Sequence, residues 1–181
     1  MSKKIEKRIA SAKKELKLIR RHELKQHEAK KRRPSPKKVY RIELATRAYA
    51  LVYFADESGQ LKQFKTYCYN NMPNSLRSEN ASPFNLALRI LEEKSTARLL
   101  NISNSSSLER WSKAIFHSYV NEIHPDDIGA HLRTHGVTKL FDAFHGELPM
   151  SKTGIIKRFK KRKRDEFISK QELFLERWKT I

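Results

Sequence analysis

Residues 39–69, VYRIELATRAYALVYFADESGQLKQFKTYCY, carry most of the information about the predicted fold. Apolar and polar residues alternate over 39–44 and again over 61–69, while 49–54 is almost entirely apolar. These patterns are typical of β-strands. The segment between the second and third strands, residues 56–60, has a glycine, Gly59, that is free to take a positive φ. We therefore predict three strands, of which the last two form an antiparallel hairpin.

Downstream of this stretch the sequence predicts helices and one further strand. Ser82 and Pro83 are a typical N-cap and first helical residue, and residues 97–102 have the pattern of a short buried strand. Further helices are predicted after Asn104 and over residues 126–134 and 137–145, on either side of Gly136. The predicted fold class is therefore α+β, a three-stranded antiparallel meander plus a further strand packed by helices.

Upstream, residues 3–33 contain no glycine or proline and predict a long helix that ends before Pro34. One side of this helix is an apolar seam, which indicates either a helix that packs on the core or on a partner protein, or a merely solvated basic helix. The seam comprises Ile5, Ile9, Ala12, Leu16 and Ile19. A second amphipathic helix is predicted near the C-terminus, with Phe167, Phe174 and Trp178 on its apolar side, which likewise packs on the core or on a partner.

The net charge of +19 lies in the two ends of the chain. Residues 1–38 hold 16 basic and 4 acidic residues, residues 152–181 hold 11 and 4, and residues 39–151 hold 12 of each. The sequence thus predicts a basic helical arm with a proline-containing linker over 1–38, a neutral α+β core over 39–151 and a basic helical arm over 152–181. Charge placed this way repels itself, so it favours attraction to a polyanion.

Two dense cationic clusters are the candidate nucleic-acid-binding residues. We expect them to contact phosphates without sequence preference, the first from an extended segment that its prolines keep out of a helix. The first cluster comprises Lys30, Lys31, Arg32, Arg33, Lys37 and Lys38, and the second comprises Lys157, Arg158, Lys160, Lys161, Arg162, Lys163 and Arg164. The predicted function is a nucleic-acid-binding accessory or regulatory protein, with DNA and RNA both open.

The predicted order β-β-β-α-β-α over residues 39–123 resembles the ribonuclease H-like fold. That resemblance implies acidic residues at strand ends that hold two metal ions for phosphodiester hydrolysis. Glu43 and Glu79 are available, but the residues at the end of the fourth strand read Ile102-Ser103-Asn104, and Asn104 cannot supply the negative charge that a divalent metal requires. The resemblance therefore implies a catalytically degenerate member that binds without cleaving, and a metal-dependent nuclease is the competing hypothesis.

The predicted strands and the apolar helix sides also fit two further classes of protein. Three strands and a helix resemble the arm-binding domain of phage integrases and the double-stranded RNA-binding domain. In such a domain the exposed side of the sheet would offer four cations, Arg41, Arg47, Lys62 and Lys65. The second class is a structural or assembly protein of a nucleoprotein complex, in which one of the two apolar helix sides binds a protein partner.

Several classes of protein are disfavoured by composition. Cys68 is the only cysteine, which excludes an internal disulfide and favours a reducing compartment, the cytoplasm or, in a eukaryote, the nucleus. The N-terminus has no signal peptide pattern, and no apolar run is long enough to span a membrane. Four histidines, His117, His124, His131 and His135, lack the spacing of a strong metal motif. We therefore predict no metal, no cofactor and no catalytic residues.

Overall fold

Helices form the regular structure of the residues that the computed structural model describes, which are 3–29, 36–73, 81–92, 105–144, 166 and 168–179. No β-strand occurs in these ranges. The helices are α1 (Lys3–Ala29), α2 (Pro36–Glu57), α3 (Leu61–Asn71), α4 (Pro83–Leu91), α5 (Ser105–Val120), α6 (Ile128–His135), α7 (Val137–Phe144) and α8 (168–179). The described part of the chain is all-helical, and the predicted α+β class with its three-stranded meander is wrong.

The first two predicted strands are parts of one helix, α2. Its buried residues Tyr40, Leu44, Ala48 and Val52 recur every four positions, which places them on one side of a helix. Because α2 packs against α1, α3, α4, α5 and α6, further apolar residues cover other parts of its circumference. A helix that is buried on several sides has the same continuous apolar run as a buried strand. This is why residues 49–54 resemble a strand in the sequence.

The turn at residues 56–60 joins two helices. The backbone N–H of Gln60 donates to the carbonyl of Ala55 at 2.7 Å, and that of Gly59 donates to the carbonyl of Asp56 at 2.9 Å. This pair of hydrogen bonds is the Schellman motif, which ends a helix at a residue in the left-handed conformation. Gly59 has a φ of +63°. The positive φ of Gly59 is confirmed, whereas the predicted hairpin is wrong.

The third predicted strand is α3, in which Leu61, Phe64 and Cys68 are buried at spacings of three and four. Without strands over 39–69, the ribonuclease H-like topology is absent from the described residues, and the resemblance is wrong. The integrase-like and double-stranded RNA-binding interpretations required the same sheet and are overturned with it. The predicted fourth strand, 97–102, and Glu79 lie outside the described residues.

Several helices agree with the prediction because their ends carry local signals. The hydroxyl of Ser82 accepts a hydrogen bond from the backbone N–H of Asn85 at 3.2 Å, and Pro83 is the first residue of α4. The predicted helices on either side of Gly136, which has a φ of +75°, are α6 and α7. α4 is buried along nearly its whole length and packs against α1, α2, α3 and α5, so it lies at the centre of the core.

The two amphipathic helices dock on this core. Ile5, Ile9, Ala12 and Leu16 are buried, and α1 packs against α2, α3 and α4. In α8, Phe174 and Trp178 are buried and belong to the same core cluster. The ring of Phe174 lies 5.0 Å from that of Tyr119, and the indole N–H of Trp178 donates to the carbonyl of Ala81 at 3.1 Å. Most of the seam of α1, together with Phe174 and Trp178 of α8, is thus buried within the chain itself.

Candidate nucleic-acid interface

The outward side of α1 carries a row of cations. Burial of the apolar seam fixes the rotation of α1, so the residues on the opposite side point to solvent. The exposed cations of this side, which we call the α1 cationic face, are Lys3, Lys4, Lys7, Lys14, Lys17 and Arg21. The two acids of residues 3–22, Glu6 and Glu15, lie to either side of this row of cations and not within it. The face therefore presents positive charge without intervening carboxylates.

The two acids of this part of α1 lie at the edges of the face. Glu6 lies on one side of the face, and Glu15, whose side chain is 42% exposed, lies on the other. The carboxylate of Glu15 accepts a hydrogen bond from the hydroxyl of Ser11 at 3.0 Å and forms an ion pair with Arg47 of α2 at 3.0 Å. On the same edge of α1, the guanidinium of Arg8 lies 3.6 Å from the centre of the Phe54 ring, at cation–π distance. These contacts attach the edge of α1 to α2.

The spacing of the cations follows the helix repeat. Lys7, Lys14 and Arg21 are seven residues apart, which corresponds to two turns and a separation of about 10 Å along the axis. Residues 3–22 together extend for about 30 Å. An ordered helix thus displays its cations in a line, whereas a flexible segment would have to be ordered on binding at an entropic cost.

Most of the cations predicted as binding residues lie outside the described residues. These are Lys30, Lys31, Arg32 and Arg33 in the first cluster and Lys157, Arg158, Lys160, Lys161, Arg162, Lys163 and Arg164 in the second. Lys37 and Lys38 are described, and both belong to the first turn of α2, where Lys38 is exposed. The expected extended segment is therefore wrong over 36–38, because Pro36 begins a helix at a position that tolerates proline.

The α1 cationic face was not among the predicted binding residues. Its signal is present in the sequence, since the apolar seam assigns every other position of α1 to a flank or to the opposite side. What the sequence left open was whether the seam packs on the chain's own core. Because Ile9 and most of the other seam residues are buried in the core, the helix repeat determines which lysines of α1 point to solvent.

The histidines considered as metal ligands do not form a metal site. His131 and His135 lie near each other on α6, with ring centres 4.5 Å apart, while the exposed His124 forms an ion pair with Asp126 at 3.5 Å. Burial, aided by the nearby His131, lowers the pKa of His117 to about 4. Among the described residues no group of three or more His, Cys, Asp or Glu side chains gathers as a metal ion requires.

A cleft of about 270 Å³ lies where α2, α5 and α8 meet, and both of its cations form ion pairs. It is lined by Tyr53, Glu57, Tyr119, Val120, Glu122, Lys170, Phe174 and Arg177. Lys170 contacts Glu122 at 2.7 Å, and Arg177 contacts Asp56 at 3.2 Å. These pairs link α8 to the helices on which it docks, which is a structural role.

Comparison of this chain with protein-family models, with curated proteins and with solved structures gives no match. Within the described ranges, every helix falls short of the length and hydropathy that crossing a membrane demands. The function is therefore inferred from the chain's own residues.

Proposed function

We propose that this protein binds nucleic acid, mainly through the phosphates, and acts as an accessory or regulatory factor. The observation that supports the proposal is the α1 cationic face, an ordered row of exposed cations with no carboxylate within the row. Nucleic acids carry a closely spaced line of phosphates and condensed counterions. A line of cations on a helix releases those counterions on binding, which is the main source of sequence-independent affinity.

The two cationic clusters extend the proposed surface. Lys38 lies at the start of α2, next along the chain from α1, and residues 30–33 connect the two helices. The second cluster, 157–164, precedes α8, which is anchored to the core by Phe174 and Trp178. Both clusters are tethered within a short length of chain to docked helices, which raises their effective concentration near a strand held on α1.

Two competing functions have less support. A metal-dependent nuclease depended on the ribonuclease H-like fold, which the helices overturn. An assembly protein would bind its partner through the seam of α1 or the apolar side of α8, and Ile5, Ile9, Leu16, Phe174 and Trp178 are buried in the core instead. Ile19 is only partly buried, and the side chain of Phe167 lies outside the described residues.

The compartment stays a prediction that rests on Cys68. Its side chain is buried, and burial raises the pKa of the thiol to about 12. A thiol in this state is a poor nucleophile and packs as a small apolar group. We therefore assign it to the core and retain the cytoplasm, or the nucleus in a eukaryote, as the proposed location.

The test is binding of the intact protein to single-stranded DNA, duplex DNA and duplex RNA of equal length, measured by fluorescence anisotropy over a salt series. If the protein contacts about six phosphates, we expect its affinity to fall about a thousandfold when the salt concentration rises from about 50 to about 200 mM. Binding that is absent for all three probes, or that does not depend on salt, would overturn the proposal.

A further inference from the structure

A second surface feature, a pocket of about 340 Å³, lies beside the start of α2 and the first turns of α5 and α7. It is lined by Arg41, Ser107, Arg110, Trp111, Val137 and Thr138. The lining offers two guanidinium groups, two hydroxyl groups and an indole, and none of its residues is acidic. Its volume lies in the range of small-molecule sites. This combination suits a ligand that has both an anionic and a flat aromatic part.

Arg41 is one of the two cations that line the pocket. It is partly buried, and its Nε is buried with no hydrogen-bond acceptor among the described residues. The carboxylate of Glu92 attracts Arg41 electrostatically, yet one of its oxygens is likewise buried without a hydrogen bond. The two groups attract each other without forming a hydrogen-bonded ion pair. A guanidinium in this state gains hydrogen bonds when an anion enters.

Arg110 and Trp111, both of α5, also line the pocket. The guanidinium of Arg110 lies 5.2 Å from the centre of the Phe141 ring, which restricts its position. Trp111 is partly buried against the core, so its indole is anchored while part of it remains accessible. An anchored indole is a stacking surface for a base, since every base has a flat aromatic face.

The helix starts add to the positive potential of the pocket. Ser107 belongs to the first turn of α5, and Val137 and Thr138 begin α7. The first N–H groups of a helix have no partner within it and favour anions. Lys38 lies three residues before Arg41, about one turn along α2, so the pocket adjoins the first cationic cluster.

We propose that the pocket formed by Arg41, Arg110 and Trp111 binds one nucleotide of a single strand, with the phosphate on the two arginines and the base on the indole. This inference rests on the proposed function, which it deepens by naming the form of the nucleic acid. A base that stacks on Trp111 must be unpaired, because paired bases are already stacked within a duplex. The protein therefore binds single strands more tightly than duplexes of equal length.

The first experiment compares Trp111→Leu with wild type on single-stranded and duplex DNA by anisotropy. Stacking of one base predicts about a tenfold loss of affinity for the single strand and no change for the duplex. Trp111→Phe, which keeps an aromatic ring, restores most of the loss, and circular dichroism checks that both variants are folded. An equal loss of affinity for both probes, or no loss for either, would overturn the proposal that the pocket binds a base.

The second experiment uses free ligands and does not depend on strand binding. Adenosine monophosphate should quench the tryptophan fluorescence of the wild type and not that of Trp111→Phe, since Trp178, the second tryptophan, is buried. Inorganic phosphate at the same concentration should quench little. Equal quenching by phosphate, or no quenching by either ligand, overturns a nucleotide site. Failure of the proposed function is recognised separately, because the wild type would then bind no probe in the salt series.

Discussion

The hydroxyl of Tyr119 donates a hydrogen bond to the carboxylate of Asp56, a residue 63 positions earlier in the chain. Arg177 contacts the same carboxylate with both terminal nitrogens, each at 3.2 Å. The side chain of Asp56 is only 10% exposed. Because these residues belong to α5, α2 and α8, one carboxylate joins three helices at the end of the aromatic cluster. The position of α8 is therefore coupled to that of the core.

Tyr119→Phe tests this junction. The substitution keeps the ring that packs on Phe174 and removes one hydrogen bond to a charged group in a poorly solvated position. We expect the free energy of unfolding, measured by urea denaturation, to fall by about 1–3 kcal/mol.

Tyr53→Phe is the matched control in the same aromatic cluster. The ring of Tyr53 lies 6.1 Å from that of Tyr119, and its hydroxyl makes no hydrogen bond to any described residue. We expect its effect on unfolding to lie within about 0.5 kcal/mol of zero. Equal losses from Tyr119→Phe and Tyr53→Phe would show that the Asp56 hydrogen bond contributes nothing.

Docking of α1 on the core is tested by Ile9→Ala. Ile9 is 1% exposed, so truncation leaves a cavity beneath α1 and should lower the free energy of unfolding by about 2–5 kcal/mol. Leu18→Ala is the control on the same helix, because Leu18 is 56% exposed and its loss should change stability by less than about 0.5 kcal/mol. If Ile9→Ala were as mild as Leu18→Ala in urea denaturation, the seam would not be packed on the core.

The free energy of unfolding should depend on pH through His117. Its pKa is lowered in the folded protein from 6.5 to about 4, mainly by burial. The unfolded chain therefore binds more protons between pH 6.5 and 4, and the free energy of unfolding falls as the pH drops through this window. One histidine contributes at most about 1.4 kcal/mol per pH unit, and solvent screening of the partly exposed ring reduces this slope.

His117→Gln isolates this contribution. The variant should lose stability less steeply than wild type between pH 6.5 and 4, while the difference between the two proteins stays constant above pH 7. Urea denaturation at a series of pH values measures both. Parallel profiles for the two proteins throughout the acid range would contradict a lowered pKa for His117.

The sequence predicted helices well where their ends carry local signals. Ser82 with Pro83 and the glycine at 136 act within one or two turns, so no knowledge of the tertiary structure is needed to recognise them. The seam of α1 was also recognised, because an apolar residue every three or four positions has no strand counterpart.

The sequence did not predict the fold of residues 39–69, for a physical reason. Short apolar runs do not distinguish a strand from a helix that is buried on several sides, and α2 is such a helix. The length of the uninterrupted segment could have distinguished a helix from two strands. The 22 residues from Pro36 to Glu57 contain no further proline and no glycine, so nothing in them marks a turn. The turn at Gly59 suits a helix end as well as a hairpin.

The binding surfaces depend on contacts that the sequence does not show. The α1 cationic face could be assigned only once it was known that the seam packs on the core and not on a partner. The burial of Ile9 and Leu16 shows this packing. The pocket brings Arg41 together with Trp111 and Thr138, which lie on three helices and share no motif. From the sequence, the density of positive charge pointed only to the two cationic clusters, at residues 30–38 and 157–164.

The most direct test of the proposed interface is the salt dependence of binding for two charge-matched variants. Lys7→Gln combined with Lys14→Gln removes two cations from the α1 cationic face, and Lys62→Gln combined with Lys179→Gln removes two exposed cations from α3 and α8. We expect the first variant to flatten the slope of log K against log salt by about 1.8 on duplex DNA, or about 1.4 on a single strand. The second variant should leave the slope within error of wild type. Equal slopes for the two variants would contradict the assignment of nucleic-acid binding to α1.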